Sequence, residues 1–105
     1  MTEFDPEKFE EKYVHYFNEL QRAYKNAFEY MNDRYDSTLI HSIDQRVLSE
    51  SEPFYEDDGF RIAVPDDAYD RIKADVVVDR DRFEEVFETY LEQIRTEMRD
   101  IFGID

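Results

Sequence analysis

The chain has 105 residues, 28 of them acidic and 13 basic, for a formal net charge of −15. That length supports one hydrophobic core rather than two, so a single domain spanning residues 1–105 is expected. Nine phenylalanines and eight tyrosines exclude a disordered chain despite the mean hydropathy of −0.83, and the absence of cysteine excludes a disulfide framework, a zinc–thiolate site and a thiol nucleophile.

The first element opens at Asp5-Pro6, an N-cap aspartate followed by proline at the first helical position. From there Phe9, Tyr13, Tyr16, Phe17, Leu20, Tyr24, Ala27, Phe28 and Met31 share one helical face. The spacing predicts one continuous helix to about Arg34. Asp36-Ser37-Thr38 offers caps for a shorter helix over roughly 38–50, with Leu39, Ile40, Ile43, Val47 and Leu48 turned inward and Pro53 ending it. Phe54-Tyr55-Glu56 and Phe60-Arg61-Ile62-Ala63-Val64, joined through Asp57-Asp58-Gly59, read as a β-hairpin with an Asp-Gly turn, closed by Pro65. Residues 66–73 form a turn or one short helical piece, and the β-branched Val76-Val77-Val78 is expected as a third short strand.

The last helix is expected to start at Asp81, with Glu84 completing a capping box. Its apolar residues are Phe83, Phe87, Tyr90, Leu91, Ile94, Met98, Ile101 and Phe102. It stops at Gly103, with Ile104 placed as the apolar residue of a Schellman motif. The fold class that follows is α+β, mostly α: two long antiparallel amphipathic helices, a shorter helix, and a small antiparallel hairpin or three-stranded element.

The acidic excess is spread over the whole chain, and only four of the basic residues are lysines. Asp81 and Glu85, and Glu84, Glu88 and Glu92, stack like charges at i,i+4, an arrangement unfavourable in ordinary buffer. In molar salt, where the Debye length falls to about 3 Å, such repulsion is screened. A halophilic surface held in bulk K+ counterions is therefore expected. A specifically acidic binding face is the alternative. No basic n-region or long apolar run marks a signal peptide or membrane span, which points to a cytoplasmic protein without membrane contact. With no basic stripe, direct nucleic-acid binding is not expected either.

Side chains that could carry chemistry are few. His15 has Glu11 and Glu19 four residues to either side, but the helical wheel turns it away from the apolar stripe. His41 has Asp44 three residues on, yet no serine or cysteine nucleophile with motif context to serve. Glu56-Asp57-Asp58, Asp66-Asp67 and the pair Asp79 and Asp81 offer hard oxygen ligands without the pattern of a calcium loop. The only glycines, Gly59 and Gly103, are too far apart for a phosphate-binding loop. No catalytic, metal or cofactor site is assigned.

The aromatic residues are more informative. On the first helix Phe9, Tyr13, Tyr16, Phe17, Tyr24, Phe28 and Tyr30 spread over an arc of about 160°, wider than one partner helix covers. Internal packing on two sides accounts for this, and so does an exposed Tyr/Phe face. The candidate interaction face is Tyr13, Tyr16, Tyr24, Tyr30 and Tyr90. The expected function is a non-enzymatic interaction or assembly module, a homodimer or the partner of another protein. The alternatives are a regulatory adaptor whose acidic surface binds a basic protein, and a small metal-dependent hydrolase.

The opening Phe4-Asp5-Pro6-Glu7-Lys8-Phe9-Glu10-Glu11-Lys12-Tyr13-Val14-His15-Tyr16-Phe17, continuing through Leu20-Gln21-Arg22-Ala23-Tyr24-Lys25-Asn26-Ala27-Phe28, resembles a family of small haloarchaeal proteins known only as a domain of unknown function. Glu52-Pro53-Phe54-Tyr55 and the last helix belong to the same resemblance. It implies a salt-accumulating cytoplasm. It brings no activity, ligand or site residue.

Overall fold

A computed structural model describes residues 4–57 and 59–104. A 3₁₀ turn, Lys8–Glu11, leads into α1, Lys12–His15, and α2, Phe17–Arg34. Then follow α3, Ser37–Arg46, a 3₁₀ turn Leu48–Glu50, strands β1, Glu52–Glu56, and β2, Gly59–Ala63, a short α4, Ala68–Ile72, and α5, Arg80–Phe102. The fold is α+β and mostly helical.

α2 and α5 form the largest packing contact between helices. They run antiparallel: at one end the Phe102 ring lies 5.0 Å from that of Tyr16, and at the other the Arg82 guanidinium sits 5.7 Å over Tyr35. Between those ends the fully buried Ala23, Ala27 and Met31 of α2 share one hydrophobic cluster with Val86, Tyr90, Ile94 and Met98 of α5. The small side chains Ala23 and Ala27 let the two backbones approach. α3 packs on α2 and α4, burying Leu39, Ile40, Ile43, Val47 and Leu48 as their spacing predicted.

The first helix departs from expectation. Asp5 does cap, its Oδ1 accepting the Glu7 amide at 3.0 Å, but the element it opens is broken at Tyr16, whose backbone lies at φ −129°, ψ 22°. The reason lies in α5. Because α5 ends at Phe102, under Tyr16, a helix continued toward the N-terminus would carry Phe9 past the last surface it could cover. Instead the chain folds back, and Phe9 joins Phe4, Tyr16, Tyr55, Phe60 and Phe102 in one aromatic cluster. Phe9 and Tyr16 have ring centroids 6.1 Å apart, whereas seven residues of straight helix rise about 10.5 Å. The Tyr16 hydroxyl accepts the Asp5 amide at 2.9 Å and pins the fold-back.

The hairpin lies where expected, but β1 starts two residues early at Glu52 and β2 runs Gly59–Ala63, which leaves Val64 outside the strand. Glu56 pairs with Gly59 across the turn, so Gly59 is a strand residue rather than a turn residue. Asp57, at φ 53°, takes a left-handed position that a short polar side chain tolerates. Asp58 lies outside the described residues.

Two further expectations are corrected. Val76-Val77-Val78 is not a third strand: the Val76 amide closes α4 onto the Ile72 carbonyl at 3.0 Å, the Val78 carbonyl accepts the Tyr69 hydroxyl at 2.7 Å, and Val77 is fully exposed. With those groups committed to α4, the segment has no ladder to join. α5 is capped by Asp79, whose Oδ1 accepts the Arg82 amide at 2.8 Å, not by Asp81. The earlier start places Arg80 on the Tyr69 ring at 5.0 Å and Arg82 on that of Tyr35. At the other end Gly103 is left-handed at φ 70°. The Ile104 amide there bonds the Arg99 carbonyl at 2.9 Å and the Gly103 amide that of Asp100 at 3.3 Å, the predicted Schellman pair.

Candidate interaction face

The five tyrosines marked in the sequence do not form one face. Tyr16 is 4% exposed and Tyr90 0%, so both belong to the core: Tyr16 because the fold-back closes over it, Tyr90 because it lies on the α2-facing side of α5. Tyr30 is half-buried beneath its own Arg34, whose guanidinium stacks 3.7 Å from the ring. Tyr13 and Tyr24 are brought together.

They line a groove of about 250 Å³ with Phe17, Leu20 and Gln21 from α2 and Leu48, Ser49, Ser51 and Pro53 from the segment after α3. The break at Tyr16 makes this groove, since it leaves Tyr13 and Phe17 off the surface that faces α5, with Val14 beside them. Tyr13, Val14 and Phe17 are 55%, 76% and 49% exposed, and with Val77 they are the large apolar side chains left most open to solvent among the described residues.

A hydrogen bond ties the α2 side of the groove to the segment after α3. The Tyr24 hydroxyl and Ser51 Oγ share a hydrogen bond at 3.0 Å. Burial pushes the Tyr24 phenol up to about 12, against the opposing pull of that bond. Beside it Lys12 is buried, its Nζ 2.9 Å from Glu52 Oε2 and 5.5, 5.2 and 4.9 Å from the ring centroids of Phe9, Tyr13 and Phe54. Burial, with the Glu52 charge adding to it, raises the Tyr13 phenol as well. Along α2 the face continues to Phe28, against whose ring His41 stands edge-on at 4.9 Å.

Charge sets this face apart. From Tyr13 to Phe28 the only acidic residue is Glu19, against Arg22 and Lys25. The side chains facing it from α3 and beyond are His41, Leu48, Ser49, Ser51 and Pro53. In a chain with 28 carboxylate side chains among 105 residues, a groove whose lining holds no carboxylate is a departure from composition. Sequence reasoning counted Phe17 as inward and missed Leu48 and Pro53 as groove walls. The signal available was the width of the aromatic arc, which exceeds what α5 covers.

A second depression, of about 360 Å³, lies between α4 and α5 and is acidic: Asp66, Asp67, Asp70, Glu84 and Glu88 surround Tyr69, Phe83 and Phe87. Most of its carboxylates are engaged within the chain, Asp67 with Arg71 at 2.7 Å, Asp70 with Lys73 at 3.0 Å and Glu84 with Arg80 at 3.8 Å. His15 is exposed, as its place on the wheel predicted. Asp44 is half-buried, its carboxyl raised by that burial with the His41 charge opposing. Among the described residues no group of three His, Cys, Asp or Glu is placed to hold a metal ion. No helix there is long and apolar enough to cross a membrane.

Over residues 1–105 the chain matches a family described as a family of unknown function, DUF5783. The chain belongs to that family. Neither a curated protein nor a solved structure matches it significantly. The DUF5783 assignment agrees with the resemblance to a domain of unknown function and names no activity.

Proposed function

We propose that this DUF5783 chain is a non-enzymatic assembly module that self-associates by packing the Tyr13–Phe17–Tyr24 face of one copy against the same face of another, in a salt-rich cytoplasm. The observation that carries the reading is the absence of carboxylates from the lining of the groove that the exposed Tyr13 and Phe17 border. Two chains of net charge −15 repel wherever acidic surfaces meet, and desolvating a carboxylate without a partner is costly. The α2/α3 face is where two copies can meet without either penalty. A two-fold arrangement sets Phe17 of each copy near the groove of the other. Molar K+ screens the acidic remainder of the surface.

A test is the mass in solution, by light scattering in molar KCl, of the parent chain and Phe17→Glu. A dimer that Phe17→Glu converts to monomer, with its melting temperature retained, is the expected result. A parent chain that stays monomeric at high concentration, or a dimer indifferent to the substitution, rejects the reading. Salt adaptation is checked separately. The melting temperature should rise from dilute buffer to molar KCl, and equal midpoints would reject it.

A second reading rests on the α4/α5 depression, whose acidic rim and aromatic floor suit a basic protein segment. The internal pairing of Asp67, Asp70 and Glu84 makes it the weaker of the two. Capture of a basic partner that survives molar salt would favour it.

A further inference from the structure

Nothing in the sequence breaks the first helix. No glycine or proline occurs between Pro6 and Pro53, and the apolar spacing runs through Tyr16 unchanged. The break is a tertiary choice with a local cost. Glu11, at φ −114° and ψ 45°, and Tyr16 both leave helical values, and no side chain caps the amides that open α2. A helix running straight through would close the Phe17 and Asn18 amides onto the Tyr13 and Val14 carbonyls. It would also return Tyr13 to the stripe above Leu20.

What holds the break is the docking of an arm, residues 4–15. Phe4 meets Tyr55 and Phe102, each with centroids 4.9 Å apart. Phe9 meets Phe60 at 5.5 Å, and Lys12 pairs with Glu52. Besides Tyr16 at the hinge, the arm rests on the hairpin, on the end of α5 and, through Tyr13, on the groove beside Leu20 and Tyr24. An identical arm from another copy would fill that receptor equally well.

We propose that the arm exchanges between two copies. α1 and α2 straighten into one helix through Tyr16, and each arm docks on the hairpin and α5 end of the other chain. The exchange keeps the arm–receptor contacts and adds helical hydrogen bonds across the break. It gives up what exists only while the arm is folded back, the bond between the Asp5 amide and the Tyr16 hydroxyl and the ring contacts of Phe4 and Phe9 with Tyr16. Straightening through Tyr16 would move Tyr13 out of the groove it lines with Phe17 and Tyr24, so the exchanged dimer is an alternative to the face-to-face one, and loss of either by its own variant leaves the other to be tested.

The chain has no cysteine, and the exposed Glu10 and Glu56 line one cleft between arm and hairpin. Glu10→Cys and Glu56→Cys on separate chains, mixed, equilibrated and treated with a short bis-maleimide, report whose arm occupies whose receptor. An interchain product whose yield rises with protein concentration, and which persists when Phe17→Glu is added, is expected. His15→Gly, at the last residue of α1, costs more inside a continuous helix than at a helix end and should lower that yield about twofold. Tyr16→Phe should raise it. If the double variant crosslinks efficiently within one chain while the mixed single variants give no interchain product at millimolar concentration, exchange is rejected, whatever Phe17→Glu does to the dimer.

Discussion

The stripe beginning at Phe9 and the one beginning at Phe83 place apolar residues at the same offsets, 0, 4, 7, 8, 11 and 15, but only the second lies in an unbroken helix. Their fates diverge at named positions. At offset 4, Phe87 is buried and Tyr13 mostly exposed, and at offset 8, Leu91 is buried and Phe17 exposed. By offset 11 both stripes are buried again, at Ile94 and Leu20. α5 has α2, β2 and α4 against it, whereas the first stripe outruns α5 at Tyr16. A periodic stripe specifies which side of a helix is greasy. Whether the helix continues depends on whether something lies beneath that side.

The most direct way to break this comparison is to truncate equivalent positions. Phe87→Ala should destabilise the fold by about 3–5 kcal/mol through the cavity it leaves, while Tyr13→Ala, at the same offset, should cost about 0.5 kcal/mol or less. Urea unfolding of both variants checks it. Equal losses would mean that the two stripes are buried alike.

Tyr24 sharpens the comparison at the point where the stripes reconverge. Its phenol is raised from 10.0 to about 12 by burial, with the Ser51 hydrogen bond opposing. A raised folded-state value favours the protonated form, so its contribution is whole below pH 10 and is lost between pH 10 and about 12, as the unfolded chain ionises first. That loss amounts to about 3 kcal/mol. Tyr24→Phe should flatten the alkaline limb of a stability–pH curve measured by urea unfolding. An unchanged limb would show Tyr24 to be solvated.

The smallest effect is expected at offset 7 of the second stripe. The Tyr90 hydroxyl is buried with no hydrogen-bond partner among the described residues, and burial, with the Asp44 charge adding to it, raises its phenol. Removing an unsatisfied buried hydroxyl relieves its desolvation, so Tyr90→Phe should be neutral or stabilise by up to ~1 kcal/mol. The same variant should leave the mass in solution unchanged, because Tyr90 reaches no surface. A destabilised Tyr90→Phe would reveal a bond that this packing does not contain.

The elements themselves were legible in residue types. Asp36 caps α3 by accepting the Thr38 amide at 3.2 Å, Gly103 ends α5, and Leu39, Ile40, Ile43, Val47 and Leu48 face inward, because capping, left-handed glycine and helical periodicity act within a few residues. The acidic composition was an equally local fact. Only the tertiary structure decided that Asp79 rather than Asp81 starts α5, that Val76–Val78 closes α4 instead of pairing, and that Tyr16 and Tyr90 are core while Tyr13 and Phe17 are not. Each of these depends on what another segment offers at that place: a tyrosine ring under an arginine, a hydroxyl for a carbonyl, the end of α5 at Phe102. Spacing along one chain cannot say where the neighbouring surface stops.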